Sequence, residues 1–203
     1  MRQLVIETAT TACSVALFDQ GSLLAEHHVD VGRGHAERLI PMIADLPGRG
    51  RADEIIVDCG PGSFTGVRVG LAAARGLSLG WGVPVFGFSS LALLAASIER
   101  TDEHSLAVAI HGGHGQLFIQ RFEHAPMQPV SELASLLPDA AAHALSDDLV
   151  VGNAGDDLVA LRGFGTAVDI ALRASNALRL PLPLRQLPPQ PIYGRAPDAK
   201  PQK

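Results

Sequence analysis

The run Glu-Ile-Ile-Val-Asp at 54–58 leads directly into Gly60-Pro61-Gly62-Ser63-Phe64-Thr65-Gly66-Val67-Arg68-Val69-Gly70, and this join constrains the fold more than any other stretch. Five apolar-rich residues predict a buried strand. Gly-Pro-Gly then forces a sharp turn, with Gly60 and Gly62 free to take positive φ or to sit close against other backbone. A helix from about Thr65 to Gly80 follows, with Ser63 and Thr65 as capping residues. A short strand at Val83–Gly87 comes next, then a helix over 89–100 opened by Ser89 or Ser90. Strand, crossover helix and strand require a parallel portion of sheet.

The N-terminal segment adds an antiparallel portion. Residues 3–9 and 12–18 read as strands, Asp19-Gln20-Gly21-Ser22 as a turn, and 23–30 as a third strand. Residues 35–46 place Leu39, Ile40, Ile43 and Leu46 at helical spacing, with Pro41 expected to kink the helix or displace its first turn. The order β-β-β-α-β-α-β-α predicts a mixed sheet in a first lobe, residues 1–100. A smaller second lobe is expected over 101–180. It comprises a strand pair at 105–111 and 116–123, short helices at 131–145 and 155–161, a strand at Val150-Val151-Gly152, and an Ala-rich helix at 167–179. Residues 181–203 are rich in proline and predict an extended, linker-like tail.

Composition excludes several classes. The 203 residues are 47% apolar, which argues against disorder, and only 4% aromatic, so the core is aliphatic. The net charge is −5, with Lys only at Lys200 and Lys203. A basic face for gripping phosphate backbones is therefore not visible, and RNA contact is expected through another subunit. Cys13 and Cys59 read as buried reduced thiols. The chain shows no basic-then-apolar leader and no apolar run of roughly 18 residues, so a cytoplasmic protein without membrane association is expected.

The Gly60–Gly70 segment invites a phosphate-loop reading, since such a turn can aim N–H groups and a helix N-terminus at an anion. It lacks the Gly-Lys-Ser/Thr of a Walker loop, and Thr65 stands where GxGxxG needs its last glycine. Glu7, Thr8, Gly60, Gly62, Ser63 and Thr65 are the residues that would lie beside an anion or nucleotide. The same helix carries small residues every fourth position: Gly62, Gly66, Gly70, Ala74 and Ser78. Glycines cost roughly 1 kcal/mol each in a helix interior, so the ridge implies a close contact, either with the chain's own sheet or with a partner's helix. His111 and His114 flank Gly112-Gly113 without adjacent Cys or carboxylate ligands, and no metal site is expected. Ser63, His35 and Asp58 can be combined on paper into a triad, a combination that chance supplies easily among eight histidines.

Taken in order, Leu4-Val5-Ile6-Glu7-Thr8-Ala9-Thr10 with Ala12–Leu17, His35–Ile43, Gly60–Gly70, Val83–Leu91 and Pro191-Ile192-Tyr193-Gly194-Arg195-Ala196-Pro197-Asp198 resemble the bacterial TsaB (YeaZ) family. The resemblance covers most of residues 1–100 and the tail, and is loose over 101–180. It implies an actin/Hsp70-like (ribonuclease H-like) two-lobe fold and a non-catalytic scaffold in tRNA threonylcarbamoyladenosine synthesis. It implies pairing with a TsaD-like catalytic subunit and a TsaE-like ATPase, or with a second copy of the chain. It implies tRNA reached only through the complex, no cofactor of its own, and ATP held by the complex. First-lobe helices form the interface in that family, which puts His35, Arg38, Leu39, Met42, Ile43, Gly62, Gly66, Gly70 and Ala74 at the expected surface.

The departures point the same way. Glu7 stands where the opening strand usually ends in Asp. Ser90 and Leu94 stand where the catalytic homologue carries its two metal-binding histidines, and neither replaces an imidazole. Ile110-His111-Gly112-Gly113 replaces the family's usual Ile-Asp-Ala-Arg. Two other readings stay open: an ATP-binding enzyme of the same superfold, and a glycoprotease-like peptidase. The latter lacks both HExxH and GxSxG.

Overall fold

The computed structural model describes residues 1–99 and 105–194. The chain opens with β1 (Arg2–Glu7), β2 (Ala12–Asp19) and β3 (Ser22–Asp30), followed by α1 (His35–Ala44), β4 (Glu54–Asp58), α2 (Phe64–Trp81), β5 (Val85–Phe88) and α3 (Ser90–Ser97). The second half holds β6 (Leu106–His111), β7 (Leu117–His124), β8 (Met127–Pro129), β9 (Ala134–Leu136), α4 (Pro138–Ala144), β10 (Leu149–Val151), α5 (Gly155–Arg162) and β11 (Thr166–Val168).

The first sheet has the order β3-β2-β1-β4-β5, with β1, β2 and β3 antiparallel and β1, β4 and β5 parallel. The second sheet, β11-β10-β6-β7-β8, is the same pattern again, with β6, β7 and β8 antiparallel and β6, β10 and β11 parallel. Each is the ribonuclease H-like order, and the pair makes the two-lobed actin-like fold. The second copy is reduced: its strands β10 and β11 are three residues long and its crossover helices α4 and α5 have seven and eight.

β1, β2 and β4 are buried on both faces, which is why they read as continuous apolar runs rather than alternations. α1 and α2 cover one face over Leu4, Ile6, Val15, Leu17, Ile55 and Val57. α3 lies on the other face, buried all round from Ser90 to Ala96, and joins the two sheets through Leu91, Leu94, Leu106 and Val108. A helix buried on every side has no amphipathic stripe. α1 runs through Pro41 without a break, with that residue on the solvent side of the helix.

Two expectations are corrected. Residues 167–179 are not one helix: 166–168 pair with β10 as β11, and only Ala174–Arg179 wind, as a 3-10 turn. That turn is fixed from outside, since Ala174 N donates to Ser14 Oγ at 3.0 Å. Residues 131–145 likewise divide into β9, paired with β7, and α4. In the described part of the tail, Leu182–Leu184 wind as a 3-10 turn, and Leu187 pairs with Gly87 of β5.

Candidate functional site

The carboxyl ends of β1 and β4 lie side by side, and each ends in an acid. Ile6 pairs with Val57, so Glu7 and Asp58 are the next neighbours. Both are fully buried. Asp58 Oδ1 accepts from Gly60 N at 2.6 Å and from Ser90 Oγ at 2.7 Å, and Glu7 Oε1 accepts from Ala9 N at 2.7 Å. Glu7 Oε2 and Asp58 Oδ2 are buried with no partner among the described residues. Burial, and then the charge of Asp58, hold the Glu7 carboxyl well above the ordinary carboxylate range. Burial pushes Asp58 up to about 7, against the opposing hydrogen bonds from Gly60 and Ser90. Unpaired charge is too costly in such a place, so the carboxyls keep protons that exposed acids would lose. Burial also pushes Cys13 up to about 11 and Cys59 up to about 12, with the neighbouring carboxyls adding to it, so both thiols stay protonated.

Three amides of the turn between β4 and α2 are engaged within the chain. Gly60 N is taken by Asp58, Ser63 N by Ala9 O at 2.7 Å, and Gly66 N by the Ser63 cap at 3.2 Å. Thr8 is buried, its hydroxyl donating to Gly66 O at 2.8 Å. Of the residues expected beside an anion, Glu7, Thr8, Gly60, Gly62 and Ser63 make contacts within the chain that join the start of α2 to the end of β1. Thr65 alone of the set is exposed without such a role, in the first turn of α2.

The glycine ridge has the same explanation. A Cβ at Gly62 would run into the carbonyl of Ala9, one at Gly66 into the carbonyl of Thr8, and one at Gly70 into the Thr8 hydroxyl. α2 lies directly on the chain leaving β1, and only glycine lets it come so near. Ala74 continues the ridge at 0% exposure. On α1, His35, Leu39, Met42 and Ile43 are buried as well, and His35 Nε2 lies 2.9 Å from Thr10 O. Of the nine residues expected at a partner surface, His35, Leu39, Met42, Ile43, Gly66, Gly70 and Ala74 face the chain's own core, Gly62 is half-buried, and only Arg38 is exposed. Those buried residues are therefore not on the surface of the chain.

The outward faces carry Ala36, Ile40 and Pro41 on α1, and Ala72, Gly76, Leu79 and Gly80 on α2. Ile40 is 48% exposed and Leu79 88%. α2 thus has a second row of small residues four apart, Ala72, Gly76 and Gly80. A Cβ at Gly76 or Gly80 would meet nothing within 4 Å. The inward row is explained by a contact inside the molecule; the outward row is not.

The other combinations do not assemble. Ser63 caps α2, His35 is held by Thr10 and Ala12, and Asp58 bonds Gly60 and Ser90, so no triad forms. His111 pairs with Asp157 at 3.5 Å, and among the described residues no three His, Cys, Asp or Glu converge as a metal site. In the second lobe, Asp147 accepts from Arg121 at 2.7 Å; burial acts to raise its carboxyl, but the hydrogen bonds from Arg121 and Ser105 and the Arg121 charge together hold it below the usual range. The Glu7–Asp58 pair was missed by sequence reasoning as a pair; two acids ending apolar strands were the available signal.

Duplicated ribonuclease H-like sheets define a two-lobed actin-like protein. The family model described as TsaD, tRNA N6-adenosine threonylcarbamoyltransferase, matches residues 29–145. The structure of YeaZ from Pseudomonas aeruginosa is 30% identical, with TM-score 0.75, covering 88% of this chain and 89% of that one. The chain belongs to the TsaB/YeaZ family. A second Pseudomonas aeruginosa structure, described as an uncharacterized protein with similarity to peptidase YEAZ, has TM-score 0.79 and 28% identity, covering 96% of this chain and 99% of that one. The TsaB protein of Escherichia coli is 37% identical over 129 residues, 61% of this chain and 55% of that protein. The chain spans about half the length of the curated relatives it matches.

Proposed function

We propose that this chain is a non-catalytic subunit in the synthesis of threonylcarbamoyladenosine on tRNA, docking a TsaD-like catalytic subunit through the outward faces of α1 and α2. The observation that carries the reading is the exposed small-residue row Ala72, Gly76 and Gly80 beside Ile40 and Leu79. Two exposed interior glycines cost the isolated helix roughly 1 kcal/mol each, and close approach of another helix would offset that. Relatives named TsaB support the pathway, and the TsaD-type match supports a partner of similar fold that could pack its own helices there.

The buried, partly protonated acids and the engaged turn amides support the absence of independent phosphate chemistry. In this reading ATP and a TsaE-like ATPase belong to the assembled complex, tRNA is met through the catalytic subunit, and the face can also be covered by a second copy. Co-purification of the chain with a TsaD homologue, with wild type against Ile40→Asp and Gly76→Gln, tests the reading. Retention of wild-type binding by both variants, or unchanged threonylcarbamoyladenosine on tRNA after depletion of the chain, refutes it.

A further inference from the structure

The tail is held across the carboxyl ends of β4 and β5 in an unusual balance. Leu187 and Gly87 exchange both main-chain bonds, at 2.7 and 3.0 Å. Ile192 N donates to Cys59 O at 2.7 Å, and Cys59 Sγ lies 3.9 Å from Pro188 O. α2 reaches over with two guanidiniums: Arg75 donates to Pro189 O at 2.7 Å and Arg68 to the Tyr193 hydroxyl at 3.2 Å. Beyond Tyr193 the chain meets the second lobe, where a side chain at Gly194 would run into the Phe118 ring.

What the tail covers is fully buried: Cys59 at 0%, with Gly60 and Gly87 beneath it. The tail itself buries little, as every residue from Arg185 to Gly194 is half-buried or exposed. Pro188, Pro189 and Pro191 have no N–H, so the segment cannot extend its single pairing with β5 into a ladder. Ile192 is its one partly buried side chain packed on the first-lobe core, and a segment held mainly by a few hydrogen bonds rather than by apolar packing has a low opening free energy. The groups under it are at the carboxyl ends of parallel strands, where open α/β sheets bind their ligands.

We propose that residues 185–194 form a releasable strap, latched by Arg68 and Arg75, that closes the crevice at the ends of β4 and β5 and lifts without unfolding the lobe. Lifting frees the edge of β5 and exposes Cys59 and the Gly60 turn. Arg68 and Arg75 share the exposed side of α2 with Ala72 and Gly76, so the strap is tested on the chain alone and the inference does not rest on which partner covers that face.

The two cysteines make the test internal to the full chain. Cys59 lies under the strap, whereas Cys13 sits in β2 between β1 and β3. Alkylation by iodoacetamide under native conditions, followed peptide by peptide by mass spectrometry, is expected to modify Cys59 about tenfold faster than Cys13. The Cys59 rate is expected to be insensitive to low urea, and the Cys13 rate to rise with it, as local and global opening require. Arg75→Ala is expected to speed Cys59 about fivefold and leave Cys13 unchanged, as loss of one charge-assisted bond predicts. Ile192→Pro, which removes the donor to Cys59, is expected to act in the same direction. Equal rates that track global unfolding at both cysteines overturn the strap. Faster Cys59 labelling that neither Arg75→Ala nor Ile192→Pro alters overturns its assignment to residues 185–194.

Discussion

Replacing Asp58 by Asn isolates the electrostatic cost of the buried carboxyl pair. Asp58 titrates at about 7 in the fold against an ordinary value of 3.8. A raised folded value means that the native state binds the proton more tightly than the unfolded chain. The contribution to stability is fully present below the ordinary value and is lost as pH rises through the folded one. The gap corresponds to roughly 4 kcal/mol lost between about pH 4 and pH 7, at about 1.4 kcal/mol for each pH unit. Asn keeps the acceptor for Gly60 N and Ser90 Oγ, and places an amide near the unpartnered Glu7 Oε2. Asp58→Asn is therefore expected to match wild type near pH 4 and to exceed it at pH 8 by about 2–4 kcal/mol. Urea midpoints measured from pH 4 to pH 8 on both proteins give the difference directly. Comparison of the two chains cancels acids such as Glu26 and Asp147, whose lowered values contribute the opposite slope. A difference that stays flat across that range, or a variant less stable than wild type at pH 8, refutes the account of the pair.

The two glycine rows of α2 predict opposite outcomes. Gly66→Ala meets the Thr8 carbonyl and is expected to cost about 3 kcal/mol or more in chemical denaturation, whereas Gly76→Ala is expected to stabilise by about 0.5–1 kcal/mol. In the same Gly76→Ala chain, affinity for the TsaD-like partner by calorimetry is expected to fall if close helix approach is what the glycine serves. Ile40→Asp is expected to leave the urea midpoint within about 0.5 kcal/mol of wild type while weakening that complex at least about tenfold. Arg121→Ala leaves Asp147 buried with Ser105 and is expected to destabilise the second lobe by about 3 kcal/mol, read in the thermal transition.

Much of the first lobe was legible in the chain because its cues are local. The strands around Val5, Val15 and Ile56 are apolar throughout, Gly21 closes a hairpin with positive φ, and Ser63 caps α2 as its position before the helix suggests. The second lobe was harder to read, since three-residue strands such as β10 and β11 are set by pairing rather than by any pattern of their own. The same applies to Ala174–Arg179, whose alanines suggest a longer helix but whose position is fixed by Ser14, distant in sequence.

By itself, the sequence determined that β4 must turn through Gly60-Pro61-Gly62 into a helix bearing small residues every fourth position, and that this helix must approach something closely. Only the tertiary structure decided what that is. Gly62 and Gly66 press on the carbonyls of Ala9 and Thr8 and Gly70 on the Thr8 hydroxyl, while Gly76 and Gly80, equally small and equally spaced, look outward. Spacing fixes which residues share a face of a helix; which face turns inward depends on the strand beneath it.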